Sequence, residues 1–192
     1  MRHPFRRKYL RPKLLPLYAL GALCLWLAEP TPARLLGGGL AVVLGAGLRA
    51  WGAGHLVKTD RLVVSGPYAY LRHPLYAGTL LVAVGLGAAA GPRATALVVL
   101  AFAPFFFGYY LPRKDRIEGA RLESRHGEAY AAWRRAVPAL RPRLSAWRPS
   151  PASAAEPRAR WSAARFRAND EDGALLAIAV AWGLLALRGA AV

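Results

Sequence analysis

The chain has 192 residues, of which 55% are hydrophobic, and a formal net charge of +17. Its apolar residues form runs and do not alternate with polar residues at helix or strand spacing, which argues against an ordinary soluble domain. The single cysteine, Cys24, lies in an apolar run. Disulfide frameworks, zinc sites and Cys-x-x-Cys chemistry are therefore excluded, and no metal site is predicted.

The apolar runs predict an all-α integral membrane bundle of about five transmembrane helices. The third and fifth runs are shorter than the ~20 residues that usually cross a bilayer, so we expect them to be tilted, extended by flanking residues or partly inserted. The first run is predicted to be a retained span, because residues 25–30 lack a small-x-small cleavage site. The five runs are roughly 14–28, 35–57, 75–90, 94–111 and 174–188.

The positive charge could indicate a nucleic-acid partner, but its distribution fits membrane topology better. Lysine and arginine number six in residues 1–13, three in 55–74 and fourteen in 112–173. The positive-inside rule places these three segments in the cytoplasm. Residues 1–13 are thus interpreted as a topology determinant and headgroup anchor, with binding of anionic lipid or nucleic acid as the alternative.

Arg49 is the one charge placed inside a hydrocarbon run, the second. An intramembrane arginine is costly and usually faces a polar cavity or a partner, which makes it a functional candidate. The alternative is that its side chain extends to the nearby interface. The many glycines of this run, including Gly45 and Gly47, favour close helix packing in lipid.

A polar, proline-punctuated stretch, residues 65–78, precedes the third run. Gly66-Pro67 is a turn signal, and Pro74 suits the first position of a helix. The turn therefore delivers Arg72 and His73 to a helix N-terminus at the membrane surface, where free N–H groups and the helix dipole favour an anion. The alternative is that His73 only caps the helix and Arg72 only sets topology.

The fourth run ends in an aromatic cluster, residues 104–110, which predicts either an interfacial belt or a face for a sulfonium cation or lipid chain. Residues 113–137 predict an amphipathic cytoplasmic helix that Gly127 bends or breaks. Its apolar stripe is more typical of packing than of a cofactor site, and consists of Leu122, His126, Tyr130, Trp133 and Val137.

The segment 138–168 is rich in proline and arginine, which predicts an extended linker and no second domain. Within it, Trp161 and Phe166 among arginines predict a segment at the membrane surface. Residues 169–172 are polar and are predicted to be N-cap material for the last span. The whole of 1–192 is thus interpreted as a single membrane domain.

Two ordered motifs resemble the isoprenylcysteine carboxyl methyltransferase-like membrane methyltransferases, which also look similar to phospholipid N-methyltransferases. In that family an Arg-His-Pro-x-Tyr-x-Gly signature is followed by a Glu-Glu pair, then Leu, Phe-Gly, Tyr, Tyr and Val-Pro. Here the first motif is Gly66-Pro67-Tyr68 with residues 72–78, and the second comprises Glu118, Leu122, Gly127, Tyr130, Trp133, Val137 and Pro138. Three positions depart from the pattern: Gly119, His126 and Trp133.

Residues 48–51 and Asn169-x-Glu171 look like elements of a bacterial subgroup, so the resemblance implies a bacterial inner membrane. The charge distribution places the N-terminus in the cytoplasm. The resemblance implies S-adenosylmethionine as cofactor, bound at the cytoplasmic end of the helices, and a lipophilic methyl acceptor that enters from the bilayer. The acceptor group is the carboxylate, amine or thiol of a lipid or lipidated molecule.

Catalytic roles are predicted for Arg49 and Glu118. Arg72 and the helix N-terminus are candidates to hold the cofactor carboxylate, and Glu118 its ammonium. His73 and Tyr76 are candidates to lie near the ribose or base. The predicted cofactor-binding residues are Tyr68, Arg72, His73, Pro74, Tyr76, Gly78, Glu118 and Tyr130.

A soluble methyltransferase fold is excluded, because the chain lacks a glycine-rich turn between alternating strands and helices. Two other classes stay open beside the membrane methyltransferase. One is a sterol-type membrane reductase that binds a nicotinamide cofactor. The other is a membrane assembly or lipid-binding protein without enzymatic activity, which the missing second acid at Gly119 favours.

Overall fold

The computed structural model of the chain describes Pro12 and residues 15–57, 61–149 and 160–191, and these residues form helices and connecting segments without strands. The interpretation of residues 1–13 lies outside this range apart from Pro12. Two π-helical segments, Val98–Phe102 and Phe105–Tyr110, lie between α4 and α5, and a 3-10 turn covers Gly66–Ala69. The α-helices are α1 (Leu15–Trp26), α2 (Pro32–His55), α3 (Pro74–Ala90), α4 (Pro92–Leu97), α5 (Leu111–Ala136), α6 (Ala163–Ala168) and α7 (Glu171–Ala190).

Each of the five predicted apolar runs lies mostly within a helical stretch, and the prediction of an all-α membrane bundle is confirmed. Among the described residues, three helical stretches are long and apolar enough to cross a membrane, namely Pro32–His55, the continuous Pro92–Ala136 and Glu171–Ala190. The apolar helices Leu15–Trp26 and Pro74–Ala90 are shorter. The helix that contains the short fifth run is Glu171–Ala190, 20 residues long, so flanking residues extend this run, which is one of the expected alternatives.

The described residues divide into two compact units. The first unit draws on residues 15–44, 81–104 and 172–191. Its core is made of small side chains together with Leu185: Ala28, Ala89, Ala90 and Ala94. A Cβ atom on Gly38 would lie 2.4 Å from the Gly85 carbonyl oxygen, so α2 and α3 approach backbone to backbone there. The glycine content of the second run serves this packing, as expected for helices in lipid.

The second unit draws on residues 45–57, 61–80, 105–149 and 160–171. Its core packs the end of α5 against the segment before α3, and consists of Leu62, Val64, Tyr68, Tyr130, Trp133 and Val137. The predicted interruption at Gly127 is confirmed, since this residue has φ 46° and ψ −122° inside α5. Only glycine adopts such a conformation readily.

Beyond Gly127 the chain folds back along the first part of α5. A Cβ atom on Gly119 would lie 2.8 Å from the Tyr130 hydroxyl, and Arg134 Nη2 lies 3.4 Å from Asp115 Oδ2. These contacts pair residues on opposite sides of Gly127, so α5 is a helical hairpin. The predicted apolar stripe is therefore not continuous, although Tyr130, Trp133 and Val137 are buried as packing residues.

Residues 138–147 lie along the stretch that precedes α3. The N–H of Arg72 donates to the Pro138 carbonyl at 2.8 Å, and the N–H of His73 donates to the Ala139 carbonyl at 3.0 Å. In the other direction, the N–H of Trp147 donates to the Ala69 carbonyl at 2.8 Å. The first part of the predicted linker is thus docked on the first motif, and residues 150–159 lie outside the described range.

Residues 160–171 satisfy carbonyl groups at the C-terminal end of α2. The Asn169 amide donates to the carbonyls of Ala53 at 2.8 Å and Leu56 at 2.9 Å, and the Trp161 indole donates to the Ala50 carbonyl at 3.0 Å. The last carbonyls of a helix have no partner within it. The interpretation of 169–172 as N-cap material did not predict this use of Asn169.

Candidate functional site

The second unit contains a cavity of about 430 Å³. The turn before α3 supplies one wall, and the two arms of the α5 hairpin supply the opposite wall. Seven of the predicted site residues line it: Tyr68, Arg72, His73, Pro74, Tyr76, Glu118 and Tyr130. The two sequence motifs, about 40 positions apart, therefore meet at one site, and the Pro138 and Ala139 carbonyls hold the backbone of the first motif in place.

Arg49 and Gly78, also predicted as site residues, are not among the residues that line this cavity. The Arg49 guanidinium binds both oxygens of Glu171, at 2.7 and 2.9 Å, and donates to the Thr79 hydroxyl at 2.6 Å. Gly78 lies against it, since a Cβ atom there would come within 2.5 Å of the Arg49 Cγ. A catalytic role for Arg49 stays a prediction.

Asp115 joins three basic side chains at the cavity wall. Its Oδ1 atom lies 2.8 Å from His73 Nε2 and 3.0 Å from Arg72 Nη1, and its Oδ2 atom lies 3.4 Å from Arg134 Nη2. Sequence reasoning missed Asp115. Its one available signal was its position three residues before Glu118, which places both carboxylates on the same side of a helix.

Tyr76 connects this cluster to Glu118. Its ring stacks on the His73 ring with the centroids 5.2 Å apart, and its hydroxyl donates to Glu118 Oε1 at 2.6 Å. The Tyr110 ring, at the end of the second π-helical segment, meets the Tyr76 ring edge-on at 5.5 Å. The predicted aromatic cluster thus contributes one ring, Tyr110, to the surroundings of Tyr76.

Burial lowers the pKa of His73 below its ordinary value, although the hydrogen bond to Asp115 opposes this shift. At neutral pH the ring is therefore neutral, and its Nε2–H donates to the Asp115 carboxylate. Burial also raises the pKa of Tyr68, whose hydroxyl stays protonated. At the predicted anion site, the N–H groups of Arg72 and His73 are already bonded to the carbonyls of Pro138 and Ala139.

Gly119 leaves room for Tyr130. The Tyr130 hydroxyl lies 2.8 Å from the position that a Cβ atom would occupy at residue 119, and Tyr130 is 2% exposed. A side chain at 119 would displace this phenol. The absence of a second acid at this position is thus coupled to the fold of the α5 hairpin.

The residues present fit a cofactor that carries an amino-acid group and an aromatic base. Arg72 lines the cavity, and its buried Nε atom has no hydrogen-bond partner within the part of the chain that the structure describes. Glu118 supplies a carboxylate that is 41% exposed. Aromatic side chains and leucines complete the wall, and the volume lies in the ~300–1,000 Å³ range of small-molecule sites.

These features define a helical membrane protein with a polar, small-molecule-sized site. Residues 42–117 match the sequence model of the isoprenylcysteine carboxyl methyltransferase family. This match confirms the resemblance that the motifs indicated. It includes the whole of the first motif and ends one residue before Glu118.

Two relatives are known as metal resistance proteins. The chain is 40% identical over 121 residues to the cobalt-zinc-cadmium resistance protein CzcN of Cupriavidus metallidurans, which aligns 62% of this chain with 53% of that protein. It is 36% identical over 119 residues to the nickel-cobalt-cadmium resistance protein NccN of Alcaligenes xylosoxydans xylosoxydans, with 60% and 53% covered. The match thus spans about half the length of both relatives, and no solved structure matches the chain significantly.

Proposed function

We propose that the chain is an S-adenosylmethionine-dependent methyltransferase that acts on a lipophilic acceptor at the interface of the membrane and the cytoplasm. The observation that carries this proposal is the single cavity lined by Arg72, His73 and Tyr76 of the first motif and by Glu118 of the second. The match of residues 42–117 to a methyltransferase family supports it.

The charged residues of the cavity suit the two ends of an amino-acid group. Arg72 is assigned to the cofactor carboxylate, because its buried Nε lacks a partner in the described chain. Glu118 is assigned to the ammonium, because its partly exposed carboxylate faces the same cavity. His73 and Tyr76 form a stacked pair beside them, suited to contact with the ribose or base.

When bound, S-adenosylmethionine would supply a methyl group on a sulfonium, which is transferred by in-line displacement. Such a reaction needs no covalent enzyme intermediate, so orienting the reactants can supply much of the rate. The chain's own contribution is therefore to bind and to orient. The apolar helix α3 begins at Pro74 in the cavity wall, and the long apolar stretch Pro92–Ala136 contributes Glu118 to it. This connection of the site to apolar helices supports a lipophilic acceptor.

The proposal is tested by titrating the purified protein, in detergent or nanodiscs, with S-adenosylmethionine and separately with NADPH. Saturable binding of the first and none of the second is expected. Saturable binding of NADPH would favour a sterol-type reductase. A well-folded protein that binds neither would favour a membrane assembly or lipid-binding protein without enzymatic activity.

Two substitutions connect binding to the site. Glu118→Ala should weaken S-adenosylmethionine binding by about 10- to 100-fold, the usual effect of removing a charge-assisted contact. His73→Ala should weaken it by about 2- to 10-fold, because the neutral ring offers the ribose or base only an uncharged contact. Glu123→Ala is the matched control, because Glu123 is an exposed acid on the same helix and does not line the cavity. Unchanged affinity in both site variants would reject the assignment of these residues.

The acceptor is identified by incubating membranes that contain the protein with methyl-labelled S-adenosylmethionine. Label is expected in the lipid fraction, or in lipidated material, in the wild-type protein and not in the Glu118→Ala variant. Label only in water-soluble small molecules would contradict a lipophilic acceptor.

The names of the two relatives favour a second, physiological proposal, that the methyl transfer contributes to resistance against divalent metals. Within the described residues, no group of three or more His, Cys, Asp and Glu side chains is arranged to hold a metal ion. The test is growth of a metal-sensitive bacterium on cobalt, zinc and cadmium with either the wild-type chain or the Glu118→Ala variant. Equal protection by both would separate resistance from the proposed site.

A further inference from the structure

We infer that Asp115 is the second carboxylate of this site, a positioning residue that holds the Arg72 and His73 side chains on the cavity wall and leaves Glu118 as the acid for the cofactor ammonium. The inference rests on the proposed function. It assigns a role to a residue that neither motif contains.

The contacts of Asp115 are those of a fully engaged carboxylate. One oxygen receives both Arg72 Nη1 and His73 Nε2, at 3.0 and 2.8 Å, and the other faces Arg134 Nη2 at 3.4 Å. The Asp115 side chain is 23% exposed, and those of Arg72 and His73 are 14% and 10% exposed. Charge-assisted bonds of this kind fix the direction of both partners when water is largely excluded.

The contacts of Glu118 are different. Glu118 Oε1 accepts a hydrogen bond from a neutral donor, the Tyr76 hydroxyl, at 2.6 Å, and Lys114 Nζ lies 3.8 Å from the same oxygen. With 41% of its side chain exposed, Glu118 keeps room to accept hydrogen bonds from an ammonium group. The two acids therefore have different roles. Asp115 is bonded to cationic side chains of the protein, whereas Glu118 is not closely paired with a cation and is left for the cofactor ammonium.

Asp115 also supplies the second acid that is missing at Gly119. The family pattern has an acid at this position, but here the Tyr130 hydroxyl occupies the space that its Cβ atom would need. Asp115 lies four residues earlier, one helical turn away, and lines the same cavity as Glu118 and Gly119. A second acid is therefore present at the site, although not at the expected position.

The test compares two ligands that differ only in the amino-acid tail, S-adenosylhomocysteine and 5′-methylthioadenosine, with wild-type protein and the Asp115→Asn variant. Without Asp115, Arg72 is no longer held toward the tail. The affinity for S-adenosylhomocysteine should therefore fall about tenfold more than the affinity for 5′-methylthioadenosine, as expected for loss of a charged hydrogen bond. Asp115→Glu keeps the charge and should recover part of the difference.

Glu123→Gln, an exposed acid on the same helix, is the matched control and should leave both affinities unchanged. Equal affinity of wild type and Asp115→Asn for S-adenosylhomocysteine would overturn the inference. An equal loss for both ligands would also overturn it, because that result indicates a merely structural role. Wild-type protein that binds neither S-adenosylmethionine nor S-adenosylhomocysteine would reject the proposed function, and the inference with it.

Discussion

At the scale of single residues, the neutral state of buried His73 makes the stability of the folded protein depend on pH. Burial lowers the pKa of His73 in the folded protein, while the unfolded chain titrates near the ordinary value of about 6.5. As the pH falls below about 6.5, the unfolded state binds the proton first, so the stability of the folded state decreases until the folded-state pKa is passed. Above about 6.5 this contribution is fully present.

We therefore predict that the apparent melting temperature in detergent falls between pH 7.5 and pH 5, and that part of this fall disappears in His73→Gln. The other described histidines, His55 and His126, are present in both proteins and cancel in the comparison. The same pH dependence in wild type and variant would show that His73 does not titrate as described.

The Tyr130 hydroxyl fills the space beside Gly119. Alanine is favoured over glycine inside a helix by about 1 kcal/mol, but here its Cβ atom would lie 2.8 Å from the buried Tyr130 hydroxyl. Such overpacking costs about 1–3 kcal/mol. Gly119→Ala should therefore destabilise the wild-type protein or leave its stability unchanged, and should stabilise it in the Tyr130→Phe background.

Thermal unfolding of the wild type, Gly119→Ala, Tyr130→Phe and the double variant measures the energetic coupling between residues 119 and 130. Gly119→Ala with the same effect in both backgrounds would mean that the Tyr130 hydroxyl does not fill the space beside Gly119. Gly127→Ala is not a useful control, because its positive φ would strain any side chain there.

At the scale of elements, the end of α2 depends on a donor from a distant segment. The Asn169 amide donates to the carbonyls of Ala53 and Leu56, and hydrogen bonds of this kind contribute about 0.5–1.5 kcal/mol each. Asn169→Ala should lower stability by about 1–3 kcal/mol, since two partly buried acceptors lose their donor.

Asn169→Asp should lower stability further, although the two side chains have the same shape. An ionised aspartate cannot donate, and its charge would face two carbonyls at the negative end of the helix dipole. Thermal unfolding at pH 7 compares the two variants. A variant with aspartate at least as stable as the one with alanine would contradict the assigned direction of these hydrogen bonds.

The helices themselves were predictable, because in a membrane their sequence signal is local. Runs of apolar residues predicted the five apolar helical stretches. Gly127 was predicted to interrupt α5 because glycine readily adopts conformations that other residues avoid. The contacts of Asp115, Asn169 and Glu171 were not predictable. Apart from the contact between Asp115 and Arg134, each depends on a partner at least 42 positions away in the chain. A polar residue near a helix end has the same local pattern whether it caps that helix or another.

The residues of the candidate site could be predicted where they belong to a sequence motif. They could not be predicted where only their contacts in the folded chain identify them. Tyr68, Arg72, His73, Tyr76 and Glu118 line one cavity as the motifs implied. Arg49 and Gly78 belong to the same motifs or subgroup but pack against each other and are not among the residues that line the cavity. A sequence pattern therefore does not distinguish a residue that contacts a ligand from one that packs the helices beside it.

At the scale of the whole molecule, Arg49 and Glu171 connect parts of the chain 122 positions apart. The Glu171 side chain is 1% exposed and that of Arg49 17%, so the pair is desolvated. Removing one partner leaves a buried charge unpaired, which typically costs about 3–5 kcal/mol, whereas replacing both by apolar residues is often neutral. Arg49→Met and Glu171→Leu should each destabilise the protein strongly, and the double variant should recover most of that loss in thermal unfolding.

The double variant also decides what Arg49 does. If Arg49 serves to join helices, the folded double variant should bind S-adenosylmethionine and transfer the methyl group at close to the wild-type rate, because neither side chain lines the cavity. If Arg49 is catalytic, the double variant should fold and bind the cofactor but lose transfer. Single substitutions cannot separate these outcomes, since the unpaired buried charge would disturb the fold in either case, and the double variant therefore tests the catalytic role predicted from the sequence.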